Sequence, residues 1–213
     1  MLSLGIEPGG ALELLCLGAH GDDLEIGCGG LVAHLAERYD TRVTWVVLSG
    51  DDVRAREAAA SAAELLAGAT RFERVQHDFE DGLFPTRYRE LREALRALRA
   101  ARSPDLVLTH RLEDRHQDHR TVAELSWGAF RQSLILEYEI PKYEGDLGAP
   151  NLYLPLSEAA ATRKLEHLGR HFGSQRVKPW YDAETFRAHL RLRGLECGAR
   201  YAEAFYGRKL RLG

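Results

Sequence analysis

The chain has 213 residues, of which 45% are hydrophobic and 29% charged, and its formal net charge is −3. A chain of this length is expected to form one domain, residues 1–213, with a core that needs no disulfide bonds. The interspersed charges exclude the basic patch typical of nucleic-acid-binding proteins, and no apolar run approaches the roughly 18 residues of a membrane span.

Short apolar runs alternate with segments of helical spacing along most of the chain. A run such as LELLCLGA at residues 12–19, ended by a glycine or a polar residue, is typical of a buried strand. Strands are predicted at residues 12–19, 42–48, 72–76 and 106–110, and helices at residues 31–39, 54–66, 87–102, 158–172 and 183–196. This alternation predicts an α/β protein with a Rossmann-like, mainly parallel sheet flanked by helices.

Two stretches are expected to be irregular. Residues 27–30 (GCGG) are glycine-rich, which favours a tight turn before the first helix. Residues 133–156 contain three prolines and two glycines, which predicts a hairpin or a long loop beside the sheet. Within this stretch, residues 138–151 are a candidate specificity loop, because loops at strand ends often determine which substrate binds.

Histidine and aspartate are concentrated after two of the predicted strands. His20-Gly21-Asp22-Asp23 follows the strand at residues 12–19, and Asp114-Arg115-His116-Gln117-Asp118-His119 follows the strand that ends at His110. An isolated Asp-Asp pair is more often a turn or a helix cap. Two such clusters after parallel strands of one sheet are expected to meet at the edge where ligands bind. Imidazole and carboxylate together suit zinc or iron with an open coordination position.

Three other functions fit parts of this pattern. A dinucleotide loop requires G-x-G-x-x-G, which residues 27–30 lack, and the acidic cluster before them would repel a pyrophosphate. His20-x-Asp22 with a distant histidine matches the facial triad of iron(II) oxygenases, whose usual all-β scaffold differs from the predicted alternation. A purely metal-binding module also remains open, although a structural zinc prefers four protein ligands and a closed site.

The two clusters are similar to a pair of signatures in one enzyme family. Residues 19–27 (AHGDDLEIG) resemble the A-H-P-D-D-E/x-E-x-G signature of the LmbE-like (PIG-L) zinc-dependent de-N-acetylases. Asp114-x-His116-x-Asp118-His119 resembles the second signature of that family, D-x-H-P-D-H. Weaker similarities lie at Arg54-x-x-Glu57, Asp81-Gly82, residues 171–175 and residues 201–205.

The resemblance implies a ligand set and a base. His20, Asp23 and His119 would bind Zn²⁺ or another divalent transition metal, and Asp22 would be the general base. The chain departs from the signatures at three positions, none of them a ligand or the base. Glycine and glutamine replace prolines at Gly21 and Gln117, and leucine replaces a common glutamate at Leu24.

The remaining matching residues receive roles around the substrate. His116 would polarise the carbonyl or stabilise the oxyanion, with Asp118 orienting and charging it. Asp114 would order its loop or bind substrate. Arg54 would bind a hydroxyl, carboxylate or phosphate of the substrate, or form an ion pair at the start of its helix. Either Asp22 or His116 would protonate the leaving amine, and the sequence does not choose between them.

The resemblance also implies the reaction, a hydrolase that removes an acetyl group from an N-acetylated sugar or sugar conjugate. Some relatives hydrolyse other amides and a few carry out hydration, so both remain alternatives. Aromatic side chains could stack on a sugar ring, although such residues more often serve packing. The candidates are Trp127, Tyr143, Trp180 and Tyr181.

The sequence also bears on the compartment and the assembly of the protein. The N-terminus lacks the positive start and apolar run of a secretory signal. The three cysteines, Cys16, Cys28 and Cys197, are scattered and odd in number, which favours a reducing compartment over a disulfide framework. We therefore expect a cytoplasmic protein. Members of the family often form trimers or hexamers, which leaves a homo-oligomer open.

Overall fold

The structure, a computed structural model, describes residues 10–210, and strands and helices alternate along most of that range. The strands are β1 (Leu12–Gly18), β2 (Thr41–Ser49), β3 (Arg71–Phe79), β4 (Leu106–His110), β5 (Leu134–Tyr138), β6 (Leu152–Leu156) and β7 (Tyr201–Gly207). The helices are α1 (Asp23–Arg38), α2 (Asp52–Leu65), α3 (Tyr88–Ala101), α4 (Gln117–Ala129), α5 (Glu158–His171) and α6 (Ala183–Cys197).

These strands belong to one sheet in the order β3-β2-β1-β4-β5-β7-β6. The first five strands run parallel, so that Leu14 of β1 lies opposite Val43 of β2 on one side and Leu106 of β4 on the other. Strand β7 enters antiparallel between β5 and β6. The predicted α/β class, with a mainly parallel sheet flanked by helices, is therefore confirmed.

Apolar side chains cover both faces of the sheet, because successive residues of a strand point to opposite sides. Leu14 and Cys16 of β1 pack on the face covered by α1, α2, α5 and α6, whereas Leu15 and Leu17 pack on the face covered by α3 and α4. Helices on both faces are typical of parallel sheets. Within residues 10–210, no helix is both long and apolar enough to cross a membrane.

The prediction of a tight turn at residues 27–30 is wrong, because α1 already begins at Asp23 and runs through all of them. The glycines serve close packing instead. A Cβ on Gly27 would lie only 2.1 Å from Cδ2 of Tyr138, and a Cβ on Gly30 would lie 2.7 Å from Oε1 of Glu203. Glycine at these positions therefore lets α1 approach the sheet closely enough for Tyr138 to seal the core beneath it.

Replacing Gly27 by Ala is expected to lower the free energy of unfolding by about 1–3 kcal/mol, because overpacking forces the neighbours to shift. The Tyr138 ring is fully buried and its hydroxyl donates to the Leu17 carbonyl at 2.7 Å, so it cannot move aside cheaply. Urea denaturation measures the effect. Gly29→Ala is the matched control, since its nearest neighbour would lie at 3.7 Å and alanine favours the helix by about 1 kcal/mol. Equal stability of the two variants would contradict this account.

Of the two alternatives predicted for residues 133–156, the hairpin is wrong and the long loop is closer to the structure. Strands β5 and β6 are not neighbours, since β7 lies between them, and residues 139–151 form a long connection instead. The sequence analysis did not predict β7 or α4. Helix α4 begins at Gln117, inside the acidic and histidine-rich cluster. Its first turn is therefore polar and lacks the apolar spacing that indicates the start of a helix.

Strand order explains why the two polar clusters meet. Strands β1 and β4 are adjacent and parallel, so their carboxyl ends lie at the same edge of the sheet. Helix α1 follows β1 through Asp22 at its N-cap, and α4 begins after His116 at its N-cap. Both clusters therefore lie at the start of a helix and at the end of a buried strand, where doubly wound sheets bind their ligands.

Candidate metal centre

Donor atoms of three side chains lie around a common point, and Asp23 contributes both of its oxygens. Nδ1 of His20 lies 3.1 Å from Nε2 of His119 and 3.2 Å from Oδ2 of Asp23. Nε2 of His119 lies 3.4 Å from the other oxygen, Oδ1, of Asp23. Atoms that bind Zn²⁺ tetrahedrally at about 2.0–2.1 Å lie about 3.3 Å apart. The triangle formed by these three side chains therefore has the spacing of metal ligands.

The other ring nitrogen of each histidine contacts a carboxylate. Nε2 of His20 lies 2.9 Å from Oδ1 of Asp81 and 3.3 Å from Oδ2 of Asp118. Nδ1 of His119 lies 3.0 Å from Oδ2 of Asp114. Metal-binding histidines characteristically donate their second N–H to a carboxylate, which fixes the tautomer and the orientation of the ring. Both histidines thus carry the supporting contacts that metal ligands need.

The electrostatics of the cluster favour a cation. Burial, together with His110, lowers the pKa of His119 to about 3, so its imidazole is neutral and able to bind a metal. Despite burial, His119, His110 and His20 hold the pKa of Asp23 well below its usual range. Although burial opposes it, Asp23 and the neighbouring carboxylates raise the pKa of His20 well above its usual value. The surplus of carboxylates therefore attracts positive charge to this point.

His110 and His116 also lie near the triangle, and their contacts differ. His110 is fully buried, its ring stacks on His119 at 3.9 Å between centroids, and its Nε2 accepts the Ala19 N–H at 3.0 Å. His116 has a donor atom within 4.8 Å of those of His20 and His119. The sequence analysis assigned no site role to His110, whose place against His119 depends on the packing of β4 against β1.

Asp22 faces a cavity of about 270 Å³ beside the triangle. It occupies the N-cap position of α1, yet its carboxylate makes no capping hydrogen bond, so the helix-cap alternative does not account for it. Burial raises its pKa, and the neighbouring Asp23 adds to the effect. Its nearest cation is Arg54, whose Nη2 lies 3.9 Å away. A buried carboxylate with a raised pKa beside a metal site is suited to accept a proton.

His116 lines the same cavity with a defined tautomer. Its Nδ1 accepts the backbone N–H of Asp118 at 3.3 Å, which leaves the proton of the neutral ring on Nε2. Burial and His20 lower its pKa, so the ring is neutral. We expected Asp118 to orient and charge this ring. Its carboxylate instead accepts the backbone N–H groups of Gly82 and Phe84 at 2.6 and 3.1 Å and contacts His20.

Two residues expected near the substrate have contacts that favour their alternative roles. Asp114 is buried behind His119, where it accepts the His116 N–H at 2.8 Å and pairs with Lys142 at 3.0 Å, so it orders the loop. Arg54 forms an ion pair with Asp81 at 2.8 Å but also lines the cavity. Lys142 was missed because the irregular segment around it carries no motif.

Only some of the candidate aromatic residues reach the cavity. Tyr143 and Trp180 line it, with their rings perpendicular and 6.5 Å apart, and Tyr143 lies in the segment expected to set specificity. Tyr181 is buried in the hydrophobic core. Trp127 donates to Glu137 on the far side of β4. Lys178, which the sequence analysis did not select, also lines the cavity.

Asp114→Asn is expected to weaken metal binding by about 10–100-fold, because losing a carboxylate that supports a ligating histidine typically has this effect. The two Asp114 oxygens accept from the His116 N–H and from His119 and Lys142, so an amide would place N–H against one of these donors. Competition with a chelating zinc indicator measures the affinity. Affinity equal to that of the unsubstituted chain would show that Asp114 does not support His119.

A family model described as PIG-L, GlcNAc-PI de-N-acetylase, matches residues 15–130, which include both clusters. The chain belongs to the PIG-L family. The resemblance of the paired signatures to this family is therefore confirmed, and deacetylases among its relatives support a hydrolase.

Similarity to known proteins extends beyond residues 15–130. The uncharacterized deacetylase YaiS of Escherichia coli K12 is 28% identical over 169 residues, 74% of this chain and 89% of YaiS. The N,N'-diacetylchitobiose deacetylase of Pyrococcus horikoshii has the same fold, with 20% identity, a TM-score of 0.66 and coverage of 91% and 82%. The 4-carboxy-2-hydroxymuconate hydratase GalB of Pseudomonas putida KT2440 also shares the fold, with 19% identity, a TM-score of 0.69 and coverage of 95% and 98%.

Proposed function

We propose that this PIG-L protein is a zinc-dependent hydrolase that removes the acetyl group from an N-acetylated sugar or sugar conjugate. The observation that carries the proposal is the triangle of His20, Asp23 and His119 side chains beside the uncapped carboxylate of Asp22; each histidine nitrogen lies 3.1 Å from the other and 3.2–3.4 Å from one Asp23 oxygen. A purely structural zinc would prefer a fourth protein ligand. The proposal treats residues 1–213 as a single deacetylase domain.

The chain's own residues supply the proton transfers. His20, Asp23 and His119 would hold a divalent cation, which would supply the Lewis acidity for activating water at neutral pH and for polarising the acetamide carbonyl. Asp22 accepts the proton of the attacking water. The Nε2–H of His116 donates to the developing oxyanion, a contact typically worth about 3–4 kcal/mol. Asp22, which then holds that proton, passes it to the departing amine; His116 could do so only after gaining a second ring proton.

The walls of the cavity support a sugar as the substrate. Tyr143 and Trp180 present aromatic surfaces near the base, which suits the apolar face of a pyranose ring. Arg54 and Lys178, which also line the cavity, add cationic donors for hydroxyl or anionic groups. The cavity of about 270 Å³ has the size expected for a small substrate such as one sugar unit.

The test combines metal loading with product analysis. The chain is stripped of metal, reloaded with Zn²⁺, Co²⁺, Fe²⁺ or Mn²⁺, and assayed for acetate released from N-acetylglucosamine, N,N'-diacetylchitobiose and N-acetylated thiol-sugar conjugates. We expect acetate only from metal-loaded protein, and none from Asp22→Asn. Folded, metal-loaded protein that releases no acetate from this panel, but hydrates an enol acid or cleaves a different amide, would overturn the deacetylase proposal and favour an alternative reaction.

A further inference from the structure

A second cluster of imidazole and carboxylate groups lies between the last turns of α2 and α5. His167 and His171 are four residues apart on α5, so they share one face of the helix, and their ring centroids are 4.4 Å apart. Glu64 of α2 faces both rings. Its Oε2 lies 2.9 Å from Nε2 of His171, and its Oε1 lies 3.6 Å from Nδ1 of His167.

Ser61 lies behind His167 and links it to a buried carboxyl group. Ser61 Oγ lies 2.8 Å from Nε2 of His167 and 2.5 Å from Oε1 of the buried Glu25. Burial raises the pKa of Glu25 to about 8, so this carboxyl group is protonated at neutral pH and can donate to Ser61. Ser61 therefore orients the His167 ring, and Nδ1 is the nitrogen that faces Glu64.

The surroundings of the His167 ring suit a metal ligand. Burial and His171 lower the pKa of His167, which favours the neutral imidazole. Its Nδ1 lies 3.6 Å from Oε1 of Glu64, beyond the range of a hydrogen bond. His167 is 8% exposed, so water screens this contact poorly. Ser61 meanwhile supports the opposite ring nitrogen, as groups behind metal-binding histidines do.

We propose that Glu64, His167 and His171 form a second site for a divalent transition-metal ion, separate from the deacetylase centre. Two histidines four residues apart on a helix are a recurrent zinc-binding arrangement, and imidazole with carboxylate suits Zn²⁺, Co²⁺, Ni²⁺ or Cu²⁺. Their donor atoms all lie within 4.8 Å of one another. An ion at this site fastens the end of α2 to the end of α5.

The surroundings keep the two sites independent. Glu64 and His167 line a cavity of about 520 Å³, which shares no lining residue with the cavity around Asp22. The exposed Arg170 places Nη1 2.6 Å from Oε1 of Glu64, so it competes with the ion for the carboxylate. Because exposed ion pairs are weak, the ion displaces Arg170 at low cost, and Arg170→Gln is expected to bind it more tightly.

The experiment removes the first site and uses Co²⁺ as the probe. In a His20→Ala, His119→Ala chain, whose folding is checked by circular dichroism, we expect one equivalent of Co²⁺ with visible d–d absorption and a rise in Tm. His171→Ala in that background should weaken binding by more than about 100-fold, beyond the usual effect of losing a supporting residue. His34→Ala, on the wall of the same cavity, is the matched control and should bind normally.

Two results would overturn this second site. One is a folded double variant that binds no Co²⁺ equivalent, and the other is equal weakening by His34→Ala and His171→Ala. If the double variant does not fold, the unsubstituted chain serves instead. It should bind two equivalents, His171→Ala should bind one, and deacetylase activity should be retained. One equivalent in both chains would refute the second site and leave the proposed function intact.

Discussion

Asp22→Asn is expected to lower kcat by about 10²–10⁴-fold, the usual contribution of a positioned general base, while metal content stays the same. Asparagine has the shape of aspartate but cannot accept the proton of the attacking water. Metal content should be unaffected because Asp22 is outside the ligand triangle. Stability should change little, since the Asp22 carboxylate makes no capping bond. Acetate release and elemental analysis on the same preparation measure both quantities.

Asp105→Asn provides the matched control for this substitution. Asp105 precedes β4 at the opposite edge of the sheet, is exposed, and accepts the Glu13 N–H at 2.9 Å, a contact that asparagine can also make. It carries the same chemical change far from the cavity, and its kcat should equal that of the unsubstituted chain. An Asp22→Asn enzyme with full turnover and a full complement of metal would remove Asp22 from the role of base.

The meeting of the two polar clusters could be predicted from sequence because one rule of the fold governs it. The strands before His20 and His110 were recognisable as short apolar runs, and parallel strands present their carboxyl ends at one edge. Placing β1 beside β4 then brings His20, Asp23 and His119 to distances of 3.1–3.4 Å. No residue-level detail beyond strand adjacency was needed for that convergence.

The supporting contacts could not be predicted, because they depend on packing between segments distant in sequence. In the sequence alone, Gly27 indicates a turn. Only the position of the Tyr138 ring against Gly27 shows that this glycine permits close approach of a helix. Asp118 lies two residues after His116 at the start of a helix, and this spacing alone does not show which groups its carboxylate contacts. Its carboxylate turns to the Gly82 and Phe84 N–H groups because the chain after β3 passes beside it.

The charged groups around the triangle of His20, Asp23 and His119 also come from segments that are distant in sequence. Asp81 and Asp118 reach His20 from two different connections, and Lys142 reaches Asp114 from a third. A sequence pattern shows the ligand types but not which carboxylates stand behind them. The structure therefore adds the contacts that set tautomer and charge, and these would determine how tightly the proposed first site binds an ion.

His119→Ala is expected to empty the first metal site and reduce acetate release to background, the largest effect of any single substitution here. Without the His119 ring, Asp23 loses one of its neighbouring groups. The two remaining proposed ligands, His20 and Asp23, both lie between the end of β1 and the start of α1, so no ligand from the chain after β4 completes the site. Elemental analysis should therefore find one equivalent of zinc fewer than in the chain that retains His119. The zinc content is measured in a His171→Ala background, so that the Glu64 cluster does not contribute.

His77→Ala, on β3 and outside the lining of the cavity, is the control for loss of a histidine in this measurement. It should retain zinc and turnover. His119 also stacks between His110 and His116, at centroid distances of 3.9 and 4.5 Å, so some loss of stability is expected and is followed by thermal unfolding. A folded His119→Ala, His171→Ala chain that keeps one tightly bound zinc would place the ion on other residues, with His116 and His110 the next donors to test, since both have nitrogens near the triangle.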